Sequence, residues 1–213
     1  MPVMNEDGTP NAFETHRRMK QRLRAGDYAD ALEDAIWYWE HALEHEPAQY
    51  GVRLSFFLTN MRKLAEEHPP AMAYIEAERA SRLELLERGE IEADGFHELK
   101  RLDERINGSE ALTGHFATLE RTHPGLADKL GPRQWRDFYR LGAWDLIERS
   151  PPDVEGIIED VADTLGNPEL SSSRHDYARG KAHELREVLV HLGRNEDLAR
   201  LDATLEGHGD EDA

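Results

Sequence analysis

Residues 27 to 47 read DYADALEDAIWYWEHALEHEP. Within this stretch Tyr28, Ala31, Leu32, Ala35, Ile36, Trp39, Ala42 and Leu43 recur at i, i+3, i+4 and i+7, which gathers apolar side chains on one face of an α-helix. Asp27 stands where an N-cap belongs, and Pro47, which cannot continue a helix, marks the far end. An amphipathic helix this regular sets the expectation for the chain on either side of it.

Toward the C-terminus the same period continues. Tyr50, Leu54, Phe57, Met61 and Leu64 predict a helix over 49–67 that stops at Pro69-Pro70, because the residue before a proline is pushed out of the α region. A further helix is predicted over 71–88, ending at Gly89. Asp94 is the expected cap of a helix that carries Phe96, Leu99, Leu102 and Ile106 and closes at Asn107-Gly108. Ser109 opens the next, with Leu112, Phe116 and Leu119 on its face and Pro124 beyond it. Pro132 sits at the first turn of a helix expected to bury Trp135, Phe138 and Trp144 and to break at Pro151-Pro152. Three more helices are expected over 152–165, 173–192 and 195–205, with Gly166-Asn167-Pro168 and Gly193 as breaks.

Toward the N-terminus, Phe13, Met19 and Leu23 give a modest apolar stripe to a helix that also carries Arg17, Arg18, Lys20, Arg22 and Arg24. These cations are expected to pair with the acidic body of the protein, the rival role being contact with an acidic or membrane surface. No segment alternates apolar and polar residues as a half-buried strand does. The fold class is therefore expected to be all-α, with about nine or ten helices joined by short turns as stacked antiparallel hairpins, a solenoid or an irregular helical bundle. Residues 11–206 form the expected single domain, 1–10 a disordered segment and 207–213 an acidic disordered tail.

The segment Gly26-Asp27-Tyr28, Ala31-Leu32, Trp39, Ala42-Leu43 and Glu46-Pro47 resembles a helix of the tetratricopeptide repeat. The likeness covers one helix, and the family's roughly 34-residue period does not recur. It implies a tetratricopeptide-like α-solenoid whose concave surface grips a peptide or protein partner, and it implies no enzyme. A weaker internal echo joins Leu64–Pro69 (LAEEHP) to Leu119–Pro124 (LERTHP), in each case a helix end with histidine before proline.

Composition narrows the function. The chain has 213 residues and no cysteine, so neither disulfides nor thiolate zinc sites are available to it, which fits a cytoplasmic location. No stretch approaches the roughly 18 consecutive apolar residues of a membrane helix, and a formal charge of −18 opposes binding to nucleic acid or anionic lipid while favouring a basic protein partner. Nucleophile elbows, phosphate loops and dinucleotide fingerprints are missing, so no catalytic residue and no cofactor is nominated. His183-Glu184-Leu185-Arg186-Glu187 begins like the helical zinc-protease motif but has glutamate where the second histidine is needed.

The expected role is a non-enzymatic protein-binding scaffold with a groove lined by the first two hairpins, for which Tyr38, Arg53 and Asn60 are the candidate partner-binding residues. Arg53 interrupts an apolar run, so it either snorkels outward or, if buried, needs an acidic partner or a ligand anion. Trp37 and Tyr38 lie off the main stripe, where they can pack on a neighbouring hairpin or anchor a partner. Two rival functions stand beside the scaffold: an acidic antidote-type protein that masks a basic partner, and a metal-binding enzyme or sensor built on His41 and His45, one turn apart.

Overall fold

The computed structural model describes residues 1–106 and 108–208. The described residues are overwhelmingly helical, so the protein is all-α apart from a small N-terminal hairpin. Contacts divide the chain into two compact units, Met1–His115 and Phe116–Ala213. Among the described residues, no helix is long and apolar enough to cross a membrane.

The first unit opens with β1 (Val3–Met4) and β2 (Pro10–Asn11), paired antiparallel with Val3 opposite Asn11. This hairpin replaces the disorder expected for residues 1–10, and the turn chemistry explains the difference. Gly8 takes a φ of 80°, Asp7 Oδ1 accepts from the Thr9 N–H at 2.9 Å, and the Val3 N–H donates to Thr15 Oγ1 at 2.9 Å. Asn11 then caps α1 (Ala12–Ala25) by accepting from the Glu14 N–H at 2.7 Å, and Gly26, at φ 83°, ends that helix.

α2 (Tyr28–His45) is the helix of the opening stretch, and it packs antiparallel on α1. Ala31, Ala35 and Ala42 have no exposed surface, so the two helices can approach closely, with Ala12 and Met19 contributed from α1. Asp27 precedes α2 but makes no side-chain cap. The helix expected over 49–67 is composite: α3 (Tyr50–Val52), a π-helical turn over Arg53–Phe57, and α4 (Leu58–Glu67). One extra residue widens the turn, and within it Phe57 is wholly buried while Phe56 is 71% exposed. α5 (Pro69–Glu87) starts on its proline, and α6 (Ala93–Ile106) completes the helical body of this unit. Asp94 lies inside the first turn of α6, and Asn107 is outside the described residues; Gly108 has a φ of 84°.

α7 (Ala111–Thr122) crosses the division between the units in sequence. In the second unit, α8 (Pro124–Leu130) leads through a 3-10 turn to α9 (Trp135–Arg140), α10 (Trp144–Arg149), α11 (Val154–Leu165), α12 (Ser172–His191) and α13 (Asn195–Gly207). The single helix expected from Pro132 to Pro151 is broken, because Gly142 takes a left-handed φ of 66° between α9 and α10. Trp135 and Phe138 are buried as expected, whereas Trp144 is half-buried. The echoed helix ends share one geometry: His68 and His123 each donate a backbone N–H to the carbonyl four residues back, and a proline starts the next helix.

Candidate functional site

Of the three candidate groove residues, two belong to the interior of the first unit. Tyr38 has no exposed surface; its hydroxyl donates to Gln49 Oε1 at 3.0 Å, and its ring lies 4.7 Å from that of Phe57. Burial, with the Glu46 carboxylate nearby, pushes its pKa up. Arg53 is 6% exposed and does not snorkel outward. Its guanidinium carbon sits over the Trp39 ring, 3.7 Å from the ring centre, and the side chain donates to the Trp39 carbonyl at 2.9 Å and pairs with Glu98. Arg82 grips the other Glu98 oxygen at 2.6 Å and Glu78 at 2.7 Å, and Glu78 also accepts from the Trp39 indole at 2.7 Å. Burial alone would raise the Glu98 carboxyl, but the two guanidinium groups hold it below the usual carboxylate range. The acidic partner that a buried Arg53 requires is thus supplied from α6, and neither Tyr38 nor Arg53 is presented to a partner.

Asn60 is different. It is half-buried on α4, and its side-chain N–H donates to the Phe56 carbonyl at 2.8 Å and stands 3.3 Å from Nε2 of His16 on α1. This contact joins two helices that run side by side in the same direction. Lys20, Leu23 and Arg24 of α1, with Tyr28, form one wall of an open cleft of about 380 Å³, and Asn60, Lys63, Glu66 and Glu67 of α4 form the other. Each helix repeats one spacing that runs on past the cleft. Phe13, Arg17, Lys20 and Arg24 stand at i, i+4, i+7 and i+11 on α1; Phe56, Asn60, Lys63 and Glu67 do so along the π turn and α4.

The two phenylalanines at the head of these stripes are 58% and 71% exposed, a correction to the expectation that Phe13 lies on the buried face. The basic cluster of α1 divides by face. Arg18 donates to both oxygens of Asp34, at 2.9 and 2.6 Å, and Arg22 reaches the same carboxylate at 2.8 Å. Asp34 has no exposed surface, so these two cations are structural. Arg17 pairs with Glu14. Among the described residues Lys20, Arg24 and Lys63 have no ion pair and no side-chain hydrogen bond, whereas Glu66 is engaged by Arg62 at 3.2 Å. His16 lies beneath Lys20; burial, helped by that ammonium group, lowers its pKa to about 4. The imidazole is therefore neutral near pH 7, and its Nε2 is free to accept from Asn60.

Sequence reasoning reaches Asn60 and the α1 cations but misses Lys63, Phe13 and Phe56 as members of the same surface. The available signal is the repeated Phe and Lys at i and i+7 in both segments. The histidines of the metal reading both lie against Trp37 with ring centres 5.9 Å away, His45 stacked on it and His41 tilted. Among the described residues, no three His, Asp or Glu side chains stand together as a metal site.

The chain matches no family model, and comparison with curated proteins and solved structures gives no significant match.

Proposed function

We propose that this protein is a non-enzymatic protein-binding module, a tetratricopeptide-like stack of helical hairpins that takes a partner into the groove between α1 and α4. The observation that supports this reading is the pair of parallel stripes on the first unit, each headed by an exposed phenylalanine and each carrying a lysine without an ion pair. Large apolar side chains left in water on the two helices that flank an open cleft favour a surface that something covers. Aromatic anchors flanked by cations are also the usual composition of interface centres.

The test is site-directed photocrosslinking in the native cell. A benzoylphenylalanine in place of Phe56 in the full chain is expected to give a discrete adduct with one protein. The same group in place of Tyr177, an aromatic of α12 that is 59% exposed, serves as the comparison and is expected to give none. Equal adducts from both positions, or no adduct from Phe56, overturns the reading.

A further inference from the structure

The net charge of −18 favours a basic partner in general, yet the groove between α1 and α4 is where the local sign reverses. Lys20, Arg24 and Lys63 line one cleft, and among the described residues none of the three is in an ion pair. Two acids line the same cleft: Glu66 is engaged by Arg62, and Glu67, one turn beyond Lys63, ends α4, so the three cations outnumber the one carboxylate left over. Elsewhere on this helix cations are quenched locally, as Arg18 and Arg22 are by Asp34. Three cations kept free in so acidic a chain point to an anion that arrives from outside.

The spacing of the stripes constrains that anion. Seven residues separate Phe13 from Lys20, and Phe56 from Lys63, which is about 10 Å along a helix axis. An extended peptide covers this distance in about three residues. A long polyanion such as nucleic acid would have to lie along a body whose overall charge repels it, while a short acidic segment meets only the cleft.

Resting on the protein-binding reading above, we propose that the partner segment is short, extended and acidic, with one apolar residue against Phe13 and Phe56 and a pair of carboxylates about three residues away, at Lys20, Lys63 and Arg24. The apolar residue supplies burial and the carboxylates supply register and direction. Asn60 spends its side-chain N–H groups on Phe56 and His16, which leaves its Oδ1 to accept from a peptide N–H.

Fluorescence anisotropy with defined peptides tests this on the full chain. The probe is a labelled Gly-Phe-Gly-Ser-Glu-Glu-Gly peptide, compared with its Lys-Lys counterpart and with an Ala-for-Phe counterpart. Saturable binding of the acidic probe is expected, weakened at least about ten-fold by either peptide change and by the K20E/K63E double variant. The R174E/R179E variant, which alters net charge equally on the exposed face of α12, is expected to stay within about two-fold, so that long-range charge is controlled. Circular dichroism checks that each variant is folded. Equal binding of the acidic and basic peptides, absence of binding, indifference to K20E/K63E, or stronger binding of a single-stranded oligonucleotide overturns the proposal. An adduct at position 56 in the cell, together with failure of the acidic peptide, would leave the groove as a protein-binding site and reject only its acidic occupant.

Discussion

Asn60 and His16 meet at 3.3 Å across the floor between α1 and α4, and the meeting requires an imidazole without a proton on Nε2. The folded-state pKa of His16, about 4, lies below its ordinary 6.5. Between those values the unfolded chain binds the proton and the folded one does not, so stability rises with pH across this window and is lost as the solution is acidified. From pH 7 to pH 5 the expected loss is about 2 kcal/mol. Denaturant titrations at the two pH values measure it, and His16→Gln is expected to flatten the dependence. An unchanged slope in the variant would assign the effect to other groups.

Glu98 is the counter-ion that keeps Arg53 tolerable inside the first unit. Glu98→Ala strands Arg53 against Trp39 with no carboxylate and also releases Arg82, so a loss of about 3–5 kcal/mol is expected in urea denaturation. Replacing both partners, as Arg53→Met with Glu98→Leu, is expected to cost less than Glu98→Ala alone, since no charge is then left buried.

Adjacent phenylalanines on the π turn should respond in opposite ways. Phe57, wholly buried against Tyr38 and Trp39, is expected to cost about 3–5 kcal/mol on conversion to alanine. Phe56→Ser is expected to change stability by less than about 0.5 kcal/mol while abolishing recovery of the crosslinked partner when the photoreactive group is moved to Phe13. Similar melting losses for both variants would mean the turn does not face Phe56 outward.

In the second unit Gly131 has no room for a side chain. A Cβ there would come within 2.6 Å of the Phe116 ring and of Ser150 Cβ, both of which are buried. Gly131→Ala is expected to cost about 1–3 kcal/mol through overpacking, measured as a lowered denaturation midpoint. Gly125→Ala, where nothing stands within 4 Å, is the comparison and is expected to be neutral or slightly stabilising.

Features governed by local chemistry are legible in the sequence. The Tyr28–Leu43 stripe specifies α2, and the prolines at 47, 69 and 124 fall at the helix boundaries they are expected to mark. Features governed by neighbours far along the chain are not. The wide turn at Arg53–Phe57 leaves no composition signal, although the helical period already places Phe57 rather than Phe56 on the buried face. Arg53 is recognisable as needing an anion, but that Glu98 supplies it depends on how α6 packs, and so does the withdrawal of Arg53 from any groove. Tyr38 lies off the periodic face, a place that fits either packing on a neighbouring hairpin or an anchor, and only the positions of Phe57 and His16 decide for packing. Asn60 falls on the cleft, but Lys63 joins Lys20 there only because α1 and α4 run parallel.

Asp34 touches nothing in the cleft, yet it governs what the cleft contains. Successive residues on a helix turn by about 100°, so Arg18 and Arg22 look almost the opposite way from Lys20 and Arg24. By holding the first pair from α2, one interior carboxylate works as a detent on the roll of α1 about its own axis. A quarter-turn slip would hide Lys20 and carry Phe13 off its stripe, so the helix's aim is set from behind, by a residue that a partner never meets.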